Sequence, residues 1–217
     1  MNLGRSPRGA GPTRAERQAA TRAALLRSAS RLICRHGMQG ASIDAIAADA
    51  GFTKGAFYAS FASKQEMFLV MLDEKFATAL AGLEEAMSGA GEPEEEAREA
   101  AEAFLAYANS DPEWPRLYQE FAAHAARDEE FRVELATRMR ALRARMASLF
   151  EQWARSYGVV PALPHEDVAT MTFFMADGFL LNRLIDPSID EALYPTMVEI
   201  FLQGLLARVA GAEPSRD

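Results

Sequence analysis

Between residues 42 and 64 the chain gathers short hydroxyl side chains, a lysine and bare backbone at spacings suited to gripping a polyanion. Ser42 and Thr53 each stand where a short helix can begin. Either hydroxyl can cap a free amide there, and the amides at such starts are natural phosphate ligands. Thr53-Lys54-Gly55-Ala56 is short or basic throughout, so a helix opening on it can enter a major groove about 12 Å wide. Tyr58 and Lys64 can hold a phosphate backbone from the far side of that helix, while Arg14 and Arg17 flank it. Ser42 and Thr53 serve as helix caps whether or not an anion is present. Lys54 has little structural reason to be where it is, which favours a contact role.

Other chemistry is not supported. Cys34 is the single cysteine, so neither an intrachain disulfide nor a cysteine-based zinc site is available. His36, His124 and His165 are far apart and lack helix-spaced partners. No paired catalytic carboxylates, nucleophile elbow or phosphate-cradling Gly-rich loop is present. The expectation is a protein that is not an enzyme, with no cofactor and no metal.

The elements that must position these residues are helical. Strand alternation and hairpin turns are absent, whereas apolar residues recur at helical spacing. From Thr13 to Arg35, Leu25, Leu26, Ala29, Leu32 and Ile33 form one stripe, ended by His36-Gly37. Ser42 caps a short helix ended by Gly51, which can take the left-handed conformation a tight turn needs. Thr53 caps the next, to about Ser60; Ile46, Phe52 and Phe57 are expected to fill the wedge against the first helix. Ser63 and Glu66 have the capping-box spacing at the start of a long helix to about Ser88. Gly91-Glu92-Pro93 opens another, to about Ser110, and Asp111-Pro112 signals a capping Asp with Pro at the first helical position. Asp128 caps a helix of seven to eight turns, and two last helices span about 166–185 and 191–210. The fold class is all-α, with about nine helices. A flexible basic arm (1–12) precedes an N-terminal three-helix helix-turn-helix unit (13–62), a larger helical domain (63–210) and a tail (211–217).

Net charge divides along the same line. Residues 1–64 hold ten Lys/Arg against three Asp/Glu, a net +7; the rest carries −15, within a total of −8. Such asymmetry suits a polyanion-binding end on a body that nucleic acid repels. No apolar run approaches the ~20 residues of a membrane span. The N-terminus lacks a secretory apolar stretch, so a cytoplasmic, nucleoid-associated protein with no membrane partner is expected.

The run Thr53-Lys54-Gly55-Ala56-Phe57-Tyr58-Ala59-Ser60-Phe61-Ala62-Ser63-Lys64-Gln65-Glu66-Met67-Phe68 resembles the signature of the tetracycline-repressor (TetR) family. In that family a Thr/Ser-Lys/Arg-Gly-x-Phe/Leu-Tyr-x-x-Phe-x-x-Lys-x-Glu-Leu pattern spans the recognition helix and the start of the next. The match covers about residues 13–68, with Ala59-Ser60 standing where many members have bulkier or His residues. The resemblance implies an all-helical homodimer on a palindromic operator in double-stranded DNA, released by a small-molecule effector. Carried over by position, the DNA-contacting set is Ser42, Thr53, Lys54, Gly55, Ala56, Tyr58 and Lys64, with Arg14 and Arg17 beside it.

In the C-terminal body, Tyr107, Arg116, Phe121, His124, Met146, Trp153, Phe173 and Asp177 are candidates for a pocket suited to a largely hydrophobic effector. Met171, Phe174, Met175, Gly178, Phe179 and Asn182 share a face of the penultimate helix. Met197, Ile200, Phe201, Gly204 and Leu205 share one on the last. In similar proteins these helices form a four-helix dimer interface. The competing reading is a helical ligand carrier or interaction module with no DNA role.

Overall fold

The computed structural model describes residue 11 and residues 13–87 and 91–210, with side chains as far as 205. The arm expected at 1–12, Gly11 aside, and the tail at 211–217 therefore lie outside the described residues. Among the described residues there are nine helices and no strand: α1 Arg14–Gly40, α2 Ile43–Asp49, α3 Lys54–Tyr58, α4 Lys64–Ala86, α5 Pro93–Ser110, α6 Trp114–Ala125, α7 Glu129–Ser156, α8 His165–Ile185 and α9 Leu193–Ala210. The chain separates into two units, Met1–Met67 and Phe68–Asp217, so the division falls inside α4 rather than before it.

In the first unit, α1 opens on a capping box in which Thr13 and Glu16 satisfy each other's amides. Its stripe of Leu25, Leu26, Ala29 and Ile33 is buried. At Gly37 the backbone turns left-handed (φ 69°), which interrupts the helix where His36-Gly37 was expected to end it. Ser42 accepts from the Ala45 amide at 3.1 Å and Thr53 from the Ala56 amide at 3.3 Å, which fixes the starts of α2 and α3. Between them Gly51 is left-handed (φ 77°), a region that costs a residue with a Cβ roughly 1–2 kcal/mol.

The wedge between these helices is filled by Ile46, Phe57 and Phe61, all essentially inaccessible. Phe52 does not join them. Its amide bonds back to the Ala47 carbonyl at 2.8 Å, and its side chain is 37% exposed. The turn that re-aims the chain thus leaves this ring at the surface, and Phe61 takes its place. Ser28, fully buried, donates to the Ile46 carbonyl (3.0 Å) or the Asp49 carboxylate (2.7 Å), and Arg31 donates to the same carboxylate at 2.6 Å. The Ser28 hydroxyl and the Arg31 guanidinium hold the Asp49 carboxyl below its usual range. This polar tie fastens the end of α2 to α1.

In the second unit Phe68, Phe121 and Phe131 form a chain of ring contacts at 5.9 and 6.4 Å. Leu80, Leu142, Met146, Ala147 and Ala169 make one core cluster; Ala101, Leu105, Phe179 and Tyr194 make another. Buried Glu96 accepts from the Trp153 indole at 2.8 Å, tying α5 to α7. α6 begins two residues later than the Asp111-Pro112 signal suggests. Asp111 is drawn into an ion pair with Lys75 and accepts the Glu113 amide, so Pro115 rather than Pro112 occupies the first helical turn.

α8 departs from the expectation that no segment is long and apolar enough to span a membrane. It has 21 residues and a window of mean hydropathy 1.3, of which only 11% is buried. From Val168 to Ile185 its charges are Asp177 and Arg183 alone, and spread over five turns they leave its outer face apolar.

Replacing Gly51 by Ala meets no steric obstruction, since a Cβ there finds nothing within 4 Å. The left-handed backbone alone sets the cost, and chemical denaturation should register a loss of about 1–2 kcal/mol in the first unit. An unchanged midpoint would contradict this account of the turn.

Candidate functional site

The first unit presents one polar surface built from its helix starts. Ser42, Thr53, Lys54 and Gly55 are exposed and Ala56 is half-buried. A Cβ at Gly55 would meet only the Thr53 hydroxyl, at 3.7 Å, beyond its chain neighbours and its own helix backbone, so the backbone is open to close approach. Tyr58 is 51% exposed, its ring edge-on to the buried Phe57 at 5.6 Å. The core thereby holds the phenol outward. Arg14 and Arg17 are exposed on the first turns of α1.

Lys54 carries the most informative contact. Its ammonium lies 3.0 Å from the Asp44 carboxylate, both exposed, and this bond holds the lysine pKa above its ordinary value. The pair is worth little in water, so a stronger anion can displace Asp44. Lys64 is placed differently. It is half-buried and donates to the Met38 carbonyl at 2.9 Å, and burial depresses its pKa. That bond gives it a structural role at the end of α1.

Two residues on this unit escaped sequence reasoning. Arg22 donates to the Ser60 carbonyl at 2.8 Å and lies over the Phe61 ring at 4.4 Å, bracing the end of α3. In the sequence Asp44 contributes only to the charge balance; as a first-turn acid of α2 it is Lys54's partner. No local pattern identifies either contact, because each joins residues separated by a turn or more of another helix.

The second unit contains a cavity of about 210 Å³. Of the expected pocket residues, Tyr107, Met146, Trp153, Phe173 and Asp177 line it. Arg116, Phe121 and His124 do not. Phe121 is fully buried between Phe68 and Phe131; the His124 ring packs on Phe131 at 4.9 Å, with Nε2 3.5 Å from the Asp128 carboxylate; Arg116 is exposed. Phe76, Trp114, Tyr118, Phe150 and His165, not anticipated, complete much of the wall. Periodicity marks all these positions as inward-facing without saying whether they meet a neighbour or a void.

The polar groups in the wall are few. Tyr107 donates to the Lys75 carbonyl at 3.0 Å, and burial, with the charge of Asp111, pushes its pKa up to about 12. The Trp153 indole is spent on Glu96 and the Lys75 ammonium on Asp111. Burial raises Tyr118 and, in the same sense, Asp177.

The expected interface residues separate into two groups. Met171, Phe174, Asn182, Ile200 and Gly204 are exposed, Phe174 by 61% and Ile200 by 63%, while Met175, Gly178 and Met197 are half-buried. Phe179 and Leu205 are instead buried at 6%, Phe179 against Tyr194, and Phe201 lines the cavity. α8 and α9 pack on α7 and α5. One side of each helix is therefore consumed inside the unit, and these three residues lie on it.

Residues 25–71 match the family described as bacterial regulatory proteins, tetR family, and residues 93–207 match the C-terminal domain of BetI-type transcriptional repressors. No curated protein matches the chain. Among solved structures, the fatty acid degradation regulator FadR from Bacillus halodurans aligns with a TM-score of 0.70 at 19% identity, over 86% of this chain and 94% of that one. FadR from Bacillus subtilis, in complex with stearoyl-CoA, aligns with 0.69 at 17%, over 83% and 96%. A TetR family transcription regulator from Marinobacter aquaeolei VT8 aligns with 0.64 at 19%, over 85% and 96%. At these identities the likeness is one of fold.

Proposed function

The chain belongs to the TetR family of bacterial regulatory proteins, and from that premise we propose that it is a dimeric transcriptional repressor released from a palindromic operator by a largely hydrophobic effector. The observation that carries the DNA half is the surface around α3. Two capped helix starts, a bare glycine and an exposed tyrosine surround a lysine held only by a displaceable surface carboxylate. A phosphate can take Asp44's place on Lys54, and the amides at the α2 and α3 starts add donors to the same anion. The +7 charge of residues 1–64 supplies the long-range attraction.

Dimerisation through Met171, Phe174, Met175, Gly178, Asn182, Met197, Ile200 and Gly204 is supported by the apolar outer face of α8. An exposed apolar helix of this length ordinarily marks an interface. Gly178 and Gly204 have open space where a Cβ would stand, which suits close approach of a second copy. Two reading heads then address half-sites about one helical turn, roughly 34 Å, apart.

The effector occupies the apolar cavity; the related fold of Bacillus subtilis FadR holds stearoyl-CoA. Ligand entry shifts α4, which lines the cavity through Lys75–Leu83 and begins in the first unit, and so alters the spacing of the two heads. The reading places the protein in the cytoplasm, on DNA. A DNA-independent ligand carrier is the rival, and it leaves the match over residues 25–71 without a purpose.

A gel-shift titration with the chain's own upstream DNA should show Lys54→Ala and Tyr58→Ala each weakening binding by about 1–3 kcal/mol. Binding insensitive to both changes would favour the carrier. Phe174→Glu places a charge in the proposed interface and should convert a sedimenting dimer into monomer; a dimer that survives it moves the interface elsewhere.

A further inference from the structure

The cavity wall is apolar almost throughout, and its charged side chains are not balanced. Lys75 is neutralised by Asp111. Arg183, six residues beyond Asp177, pairs with Glu191 and does not line the cavity; Arg143 lies over the Phe173 ring at 5.8 Å and does not line it either. That leaves Asp177, a half-buried carboxylate with no hydrogen-bond or ion-pair partner among the described residues. Desolvation is the one cause that displaces its pKa, and it is displaced upward, as for a carboxylate with no cation beside it.

Aromatic rings accompany this carboxylate in the wall. Phe173 precedes it by one helical turn, and Tyr118 feels its charge together with the opposing charge of Arg143, which lies behind the Phe173 ring rather than in the wall. Tyr118 is also 5.9 Å from Trp114, whose ring meets Phe76 edge-on at 6.1 Å. An unpaired acid in a wall that also carries aromatic rings is a setting for a cation. It is a poor one for a second anion, because two desolvated like charges repel.

The wall then continues along α8 from Asp177 back to Val168 and His165, about 18 Å at 1.5 Å per residue. Thr172, Phe173 and Ala176 lie on that path, with Phe150 and Met146 of α7 also in the wall. This is room for an extended apolar chain. The far end offers His165, whose Nε2 is buried and unpartnered. That nitrogen can hydrogen-bond a polar group at its end of the wall. At the other end the unpaired carboxylate of Asp177 faces whatever head group the cavity admits.

We propose that the cavity binds an amphiphile with a long apolar tail and an ammonium head, and that Asp177 holds that head. The inference rests on the effector reading above and narrows its ligand class. It separates this chain from the related fold that holds stearoyl-CoA, whose carrier is polyanionic.

The test uses the full chain without DNA and follows the emission of Trp114 and Trp153, both in the wall, during titration with dodecylamine, dodecanol, dodecanoate and dodecanoyl-CoA. The native protein should bind dodecylamine at least tenfold more tightly than the other three. Asp177→Asn should weaken dodecylamine at least tenfold while leaving dodecanol unchanged, and Asp177→Glu should retain the preference. Dodecanoate or dodecanoyl-CoA binding as tightly as the amine would overturn the proposal, as would an amine affinity indifferent to Asp177→Asn or the absence of any binding. If dodecanoyl-CoA binds and releases operator DNA, the repressor reading stands and the ammonium class fails. If no operator is bound at all, the repressor reading fails whatever the cavity holds.

Discussion

The left-handed turn at Gly51 is the constraint on which the reading surface depends. α2 and α3 have seven and five residues, far below the length at which a helix persists alone in water. They survive because the turn re-aims the chain so that Ile46 and Phe57 enter one core with Leu25 and Ile33 of α1. With the apolar side of α3 fixed inward, the opposite side must face out. The same twist that buries Phe57 thus exposes Lys54, Gly55 and Tyr58. The Ser28–Asp49–Arg31 tie holds α2 at the same place with polar bonds, and Arg22 braces the end of α3. The exposed residues proposed to read DNA are thus held from behind by contacts within the unit.

The second unit solves a different problem. Its last two helices, α8 and α9, are apolar over more of their circumference than one packed layer can use, and aromatic rings along α4, α6 and α8 line a space they do not fill. The result is a cavity on one side of α8 and an uncovered apolar face on the other. The proposed effector and the proposed second copy would take these two places, and α8 would then belong to both sites.

Features governed by local chemistry were legible in the sequence. Ser42, Thr53 and Asp128 cap where their hydroxyls and carboxylate are expected to, and Gly51 turns where only glycine turns freely. Features governed by contacts distant in sequence were not. Asp111 reads as a simple helix cap, whereas its carboxylate is shared between the Glu113 amide and Lys75, a partner distant in sequence. Phe52 and Phe61 are both aromatic residues near the wedge, and only the path of the chain after Gly51 decides which enters it. On α8 and α9, Phe179, Phe201 and Leu205 are indistinguishable by type from Phe174 and Ile200, because a helix apolar on most sides does not declare which one its neighbours will take. Lys64 belongs to the TetR signature, yet its ammonium is engaged with the Met38 carbonyl.

The central claim is that two copies of this helix-turn-helix unit read one duplex together. Hydroxyl-radical footprinting of the chain on its own upstream DNA tests it most directly. The account predicts two protected patches related by a dyad on one face of the duplex, about one helical turn apart from centre to centre. A single protected patch with no symmetry mate, or no protection at all, would contradict it.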